Sequence, residues 1–376
     1  MLDQANHKKL ENLLEALKDE EQRFIGYPCN NDFDYSPLYP FLSMSLNNVG
    51  DPFSTSTYRL NTMDIEKEVI KTFAKWAKAP EDNFWGYVTN GGTEGNIYGI
   101  FLARELYPDG IVYYSQDTHY SVSKLLKLLR VKSIMIRSNE DGTMDLEDLK
   151  ATLQINRHAP PIICANIGTT MTGAIDDLTG IKALITDMAF PNHYIHCDCA
   201  LSGMILPFLE DPQAFNFADG CHSISVSGHK FIGSPIPCGI VVAQKSNVDR
   251  IARAVEYVGS LDTTITGSRN GLTPLFLWYA FKSLGKEGLK KRVEQCLKLA
   301  TYGEAAMKAK GIPAWRHKNS ITVVFPRPHQ EVINKWSLAV ENNIAHFITM
   351  YHVTEDMIDR FVDDVIAHKE ESKCAK

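Results

Sequence analysis

Nothing in this chain approaches the roughly twenty consecutive apolar residues that a membrane-spanning helix needs. The opening stretch, Met1 to Arg23, is charged throughout and lacks the apolar core of a secretory signal. A soluble, cytoplasmic protein is therefore expected. An excess of basic charge is missing too: 39 Lys and Arg stand against 45 Asp and Glu, a net charge of -6. That balance argues against nonspecific nucleic-acid binding, which depends on neutralising phosphates, and it says little about a small substrate. The eight cysteines show no small-scaffold spacing, and several lie inside apolar segments. Such usage suits reduced thiols better than a disulfide framework. There is no internal repeat, no low-complexity tract, no G-x-G-x-x-G and no nucleotide P-loop.

With 376 residues, 44% hydrophobic and 22% charged, the chain is long enough for a sizeable core and two unequal domains. Leu10, Leu13, Leu14 and Leu17 fall at helical spacing, so the opening segment reads as an amphipathic helix with a stripe to cover. Residues 25–62 read as irregular, and a helix capped by Asp64 runs through Trp76. From Gly86 to about Val242, short apolar runs alternate with helix-like stretches. Strands are expected at Ile111–Tyr114, Ser133–Ile136, Pro161–Asn166, Tyr194–Asp198, Ser223–Ser227 and Gly239–Ala243. Helices are expected at Gly95–Leu106, Val122–Leu129, Leu146–Leu153 and Leu178–Asp187. This alternation predicts an α/β fold, a mostly parallel sheet wrapped by helices. A long helix, Pro274 to Lys310, leads to a smaller C-terminal α/β domain with a strand at Ser320–Phe325 and helices at Glu331–Val340 and Glu355–His368. The expected division is 1–62, an N-terminal helix and irregular segment; 63–285, a large domain; and 286–376, a small one.

Four segments carry chemistry. Ser225-Val226-Ser227-Gly228-His229-Lys230 is a strand-like run with a lysine just past its end. An amine held near an anion site and partly desolvated can form a Schiff base with an aldehyde cofactor, although a Gly-His-Lys turn alone is more often a solvated loop. Upstream, Tyr194-Ile195-His196-Cys197-Asp198-Cys199-Ala200 places an aspartate near a strand end, where a carboxylate needs a partner. A protonated pyridine nitrogen is such a partner; an ordinary turn is the simpler reading. A metal set with His196 and the cysteines is poorly supported, because Cys197 and Cys199 point away from the strand face that carries Asp198. Thr89-Asn90-Gly91-Gly92-Thr93-Glu94-Gly95-Asn96 opens a helix with small residues, which leaves N–H groups and the helix dipole free for an anion. Finally, Asp117-Thr118-His119-Tyr120-Ser121 puts a histidine after a strand, where it can lie on an aromatic ring or serve as a structural hydrogen-bonder. Asp198, Lys230, His119 and Asn166 all fall at or just after expected strand ends, where ligands of such sheets sit.

In this order, the four segments resemble the pyridoxal-phosphate-dependent group II amino-acid decarboxylases, and the resemblance covers nearly the whole chain. It extends to Ile25-Gly26-Tyr27-Pro28, Asn166-Ile167-Gly168-Thr169-Thr170, Gly233-Ser234-Pro235-Ile236-Pro237-Cys238-Gly239 and Thr266-Gly267-Ser268-Arg269-Asn270-Gly271. It is strongest toward the short bacterial histidine-specific members, with plant serine decarboxylases next. The resemblance implies an aspartate-aminotransferase-like fold (PLP fold type I), pyridoxal 5'-phosphate as cofactor, and decarboxylation of L-histidine to histamine and CO2. It implies a homodimer or higher homo-oligomer in which the N-terminal segment packs across subunits, no metal, and no nucleic-acid or membrane partner.

By the same resemblance Lys230 carries the cofactor, Asp198 pairs with its ring nitrogen, His119 stacks on one ring face and Ala200 packs on the other. Gly91, Gly92, Thr93, Ser227 and His229 hold the phosphate, with Gly267 and Ser268 reaching the site of the neighbouring subunit. Asn166 and Thr170 orient ring substituents, and Tyr257 reprotonates the α-carbon. Tyr27, Pro28, Tyr87, Ser320 and His119 are candidate substrate contacts. The chain departs from larger animal members in having Ser227-Gly228 where they carry Asn-Pro before His-Lys. Other readings stay open: a serine decarboxylase, an aminotransferase using Arg316 or Arg327 for the α-carboxylate, or a non-catalytic binding protein on the same fold.

Overall fold

Helix α1 (Gln4–Glu21) opens the chain, N-capped by Asp3, whose carboxylate accepts from the Asn6 N–H at 2.8 Å. It buries none of its residues, and Leu10, Leu13, Leu14 and Leu17 are each more than half exposed. The structure, a computed structural model, describes residues 2–255 and 260–374. It divides into two units, Phe33–Val293 and Met1–Asp32 with Glu294–Lys376.

In the larger unit, β1 (Asn47–Val49) precedes α2 (Met63–Trp76), whose N-cap is Thr62 rather than the expected Asp64. Val69, Ile70, Phe73 and Ala74 of α2 are buried and lie at helical spacing along one face. The central sheet has seven strands: β2 (Trp85–Thr89), β3 (Ile111–Ser115), β4 (Lys132–Ile136), β5 (Pro161–Asn166), β6 (Tyr194–Asp198), β7 (Ser223–Ser227) and β8 (Gly239–Ala243). Their order is β2-β8-β7-β6-β5-β3-β4, parallel from β7 through β4, with β8 antiparallel to both its neighbours. Helices α3 (Gly92–Leu106), α4 (Tyr120–Leu129), α5 (Leu146–Ile155) and α6 (Leu178–Asp187) lie between successive strands. Every residue of β2, β5, β6, β7 and β8 is buried, as a sheet covered on both faces requires. Edge strand β4 exposes Lys132, Ser133 and Met135. Pairing register brings Asn166, Asp198 and Ser225 abreast, and Thr89, Gly239 and Ser227 abreast, so the ends of five strands share one edge.

Beyond the sheet come α7 (Lys245–Asp249), β9 (Arg253–Val255), β10 (Ser260–Asp262) and β11 (Ser268–Asn270). β11 pairs antiparallel with β1. Helix α8 (Thr273–Ala309) is not the single continuous helix expected: Gly285 takes φ 61°, ψ -175° and breaks it.

The smaller unit carries β12 (Thr322–Pro326), α9 (Gln330–Lys335), β13 (Val340–Glu341), β14 (Ile344–Ile348) and α10 (Glu355–Cys374). Its three strands form an antiparallel sheet in the order β12-β14-β13. The helix expected over Glu331–Val340 stops at Lys335, because Ser337 adopts φ 49° and cannot continue a right-handed helix. Trp336 there is buried, donating from Nε1 to Asp364 at 2.7 Å and meeting Phe361 edge-on. Phe325, Phe347 and Phe361 complete this core.

Candidate active site

At the carboxyl end of β6, Asp198 is 8% exposed. Its Oδ1 accepts from the Ala200 N–H at 3.1 Å and its Oδ2 from Asn96 Nδ2 at 2.7 Å. His196 and Asp198 share a strand face, while Cys197 points the other way and sits 2.7 Å from Cys221, sulfur to sulfur. Both His196 nitrogens are occupied, Nε2 by Asn96 at 2.9 Å and Nδ1 by Ser223 at 2.8 Å.

The turn after β2 is built around its glycines. Gly91 is the N-cap of α3 with φ 148°, and having no side chain it leaves the first N–H groups of α3 uncapped. A Cβ on Gly92 would come within 2.8 Å of Ser227 Oγ and 3.7 Å of the Ala200 Cβ; one on Gly91 would lie 3.8 Å from His229 Cε1. Gly91, Gly92, Ala200, Ser227 and His229 therefore converge. Glu94, buried in the first turn of α3, folds back to accept from the Asn90 N–H (2.8 Å), Asn90 Nδ2 (2.7 Å) and the Tyr87 hydroxyl (3.0 Å). Ser225 Oγ donates to the Gly92 carbonyl at 3.0 Å and ties the turn to β7. Thr93 is exposed at the mouth.

His119 is the N-cap of α4, with Nδ1 accepting from the Ser121 N–H at 3.3 Å and lying 2.8 Å from Ser121 Oγ. Burial depresses its pKa; the nearby Asp198 carboxylate opposes this and the Lys230 ammonium reinforces it. His119, Asp198 and Lys230 thus stand within electrostatic reach of one another. Asn166 Nδ2 donates to Ser115 Oγ at 2.9 Å and to Asp176 Oδ2 at 3.0 Å, leaving its side-chain carbonyl as the group it can offer. Burial pushes Asp176 up to about 6. Thr170 is exposed at the tip of the turn after β5.

The remaining expected residues are placed as follows. Tyr87 does not line an open site: it is fully buried, edge-on to Tyr98 and tilted against Trp85, with its hydroxyl spent on Glu94, because β2 is covered on both faces. Tyr27, Pro28 and Ser320 belong to the smaller unit. Arg316 there is held by Glu304 at 3.2 Å and Thr301 Oγ1 at 2.8 Å, while Arg327 is exposed. Gly267 and Ser268 are exposed beside β11, with Asn47 donating to Ser268 Oγ at 3.1 Å. Tyr257 lies outside the described residues. Sequence reasoning missed Glu94, Ser225, Ser223 and Asp176. Their only signal was polarity inside otherwise buried segments, which marks a residue that must find an internal partner.

A helix-wrapped, mostly parallel sheet with lysine, aspartate and histidine at its carboxyl edge defines an enzyme of the pyridoxal-phosphate fold type I class. Residues 53–325 match the pyridoxal-dependent decarboxylase conserved domain, and the chain belongs to that family. It is 53% identical over 346 residues to the histidine decarboxylase of Morganella morganii, covering 91% of this chain and 92% of that one. With the histidine decarboxylase of Acinetobacter baumannii (strain ACICU) it shares 50% over 369 residues, 97% and 96% of the two chains. In fold it is similar to the L-methionine decarboxylase of Streptomyces sp. 590, with a TM-score of 0.89 at 23% identity over 96% and 94% of the chains. The glutamate decarboxylase of Lactobacillus brevis superposes with a TM-score of 0.80 at 16% identity, over 99% and 92%.

Proposed function

We propose that this protein decarboxylates L-histidine to histamine and CO2 with pyridoxal 5'-phosphate as cofactor. The observation that carries the substrate is the identity of half or more, over at least nine-tenths of the chain, with two histidine decarboxylases. The residues present fit the cofactor. A Cβ at Gly92 would crowd Ser227, so only glycine keeps that cradle open, and the uncapped first turn of α3 favours an anion.

When bound, the cofactor supplies an electron-withdrawing ring that stabilises the charge left on the α-carbon as CO2 departs. Lys230 would hold its aldehyde carbon through the side-chain amine, and Asp198 its ring nitrogen. His119 would cover one face of the ring and Ala200 the other. Gly91, Gly92, Thr93, Ser227 and His229 would hold the phosphate, the last through Nε2, since Nδ1 donates to the Cys238 carbonyl at 2.9 Å. Asn166, through its carbonyl, and Thr170 would orient the ring substituents. Tyr257 would return the proton to the α-carbon; Tyr257→Phe should lower amine formation and raise the aldehyde side product. Tyr27, Pro28 and Ser320 are the remaining proposed substrate contacts.

A homodimer is also proposed. The exposed leucine stripe of α1 and the exposed Gly267 and Ser268 support it, the latter two as contributors to the neighbouring subunit's site. Sedimentation of the parent and of a variant with Leu13 and Leu17 changed to Ser tests it, and a monomeric parent overturns it. The functional division proposed at 62/63 and 285/286 differs from that of the compact units, which part at 32/33 and 293/294. No helix among the described residues is long and apolar enough to cross a membrane. Among the described residues no cysteine forms a disulfide, in keeping with the reducing, cytoplasmic setting proposed here.

The deciding experiment incubates the purified protein and cofactor with a panel of amino acids and measures CO2 and amine. Histidine should show the highest kcat/KM. A higher value for serine or another amino acid overturns the substrate.

A further inference from the structure

Asp198 is the end of a chain of hydrogen bonds that runs back into the protein. A carboxylate can only accept, so the end of the Asn96 amide facing it must be the NH2, 2.7 Å from Oδ2. The amide oxygen is then turned to His196 Nε2 at 2.9 Å, and that nitrogen must carry a proton. His196 Nδ1 is left as the acceptor, and Ser223 Oγ stands 2.8 Å away to donate. Asn96 is 2% exposed, and His196 and Ser223 are fully buried, so water does not compete for these groups. Gly99, one turn along α3 from Asn96, makes the imidazole's place: a Cβ there would lie 2.2 Å from His196 Nδ1.

Each link therefore has one orientation. With the Asn96 amide reversed, oxygen would face oxygen, and Asp198 would have to turn away. It would then no longer present the same carboxylate oxygen to the edge of the sheet. We propose that Asn96 and His196 are positioning residues for Asp198, holding its carboxylate in one plane where the cofactor's ring nitrogen is received. This rests on the assignment of Asp198 made under Proposed function. Burial independently favours the neutral imidazole that the chain requires, depressing the His196 pKa to about 4.

The test uses apoenzyme of the full chain titrated with pyridoxal 5'-phosphate, followed by protein fluorescence, together with separate kcat and KM for histidine. Asn96→Ala and His196→Leu should each weaken cofactor affinity by about tenfold to a hundredfold, the range for losing a buried bond to a charged group. They should lower kcat and leave KM nearly unchanged. His196→Gln, whose amide can place an N–H near the Nε2 position, should recover most of both. Parent-like affinity and kcat in Asn96→Ala overturns the proposal, as does equal impairment in His196→Gln and a folded His196→Leu. Should circular dichroism show His196→Leu unfolded, Asn96→Ala decides alone. Asp198→Asn separates the two levels of argument. If that variant is parent-like, the Asp198 assignment itself fails; if it is impaired while Asn96→Ala is not, only the positioning chain fails.

Discussion

Glu66 and Asp198 are buried carboxylates of the same unit, held in opposite ways. Glu66 is fully buried on α2, paired with the guanidinium of Arg269, and also accepts from the Val88 N–H at 2.8 Å and Asn48 Nδ2 at 2.7 Å. Arg269 in turn donates to the Gly50 carbonyl at 2.9 Å and lies 5.4 Å from the centre of the Tyr87 ring. That site contains its own counter-charge, so its charges are satisfied before any ligand arrives. The two donors on Asp198, the Asn96 amide and the Ala200 N–H, are both neutral. A buried ion pair clamps β1, α2 and β11 together, whereas the hydrogen bonds that fix Asp198 come from neutral dipoles. The contrast separates the acid paired with Arg269 from the acid proposed to meet the cofactor more clearly than burial does.

Removing the amine at the functional edge should have the largest effect. Lys230→Ala is expected to cut decarboxylation by about 10^4-fold or more, measured as CO2 release, since the proposed covalent attachment goes with it. Asp198→Ala comes next: turnover should fall about 10^2- to 10^3-fold, the range for losing one preorganised electrostatic partner, while some cofactor stays bound. Normal rates in that variant would erase the distinction drawn from Glu66.

The reverse substitution sharpens it. Glu66→Ala leaves Arg269 buried and unpaired, so denaturant unfolding should show a loss of about 3–5 kcal/mol. Folded Glu66→Ala should keep a kcat within a few-fold of the parent; a collapse of kcat without loss of stability would make Glu66 functional after all.

The smallest expected effect concerns pH. Burial holds His196 and His222 neutral, both depressed to about 4 against an ordinary 6.5. Unfolding lets them charge more readily, so their contribution to stability is present above 6.5 and is lost as pH falls toward 4. His222, which accepts from the Ile195 N–H at 3.1 Å, is not in hydrogen-bond contact with Asp198. His222→Gln should flatten the stability–pH slope across that window by about 1–3 kcal/mol, with urea midpoints as the readout. An unchanged slope would mean that His222 is already accessible to water.

Much of the larger unit was legible residue by residue. Strands β5, β6, β7 and β8 begin and end where their apolar runs do, because a sheet buried on both faces leaves no other composition for its strands. Asp198 and Lys230 stood out because aspartate at a strand end and a lysine after small residues have no role in packing. Strand β2 was less visible, since its Gly86 interrupts the run. Gly285 breaking α8 and Ser337 ending α9 were invisible, because a single backbone rotation leaves no periodicity to read. Tyr87 was misjudged as a site residue for a related reason: nothing local says that its hydroxyl meets Glu94.

By itself the sequence determined the alternation of strands and helices, the family, and the residues that do not belong to a core. These follow from local composition and from the spacing of chemically distinctive groups. Only the tertiary structure decided which buried acid is paired with Arg269, which way the Asn96 amide faces, and which nitrogen of His196 bears the proton. Those are properties of pairs of side chains as far apart in sequence as Asn96 and Asp198, and hydrogen-bond direction exists only once the fold has brought both partners together.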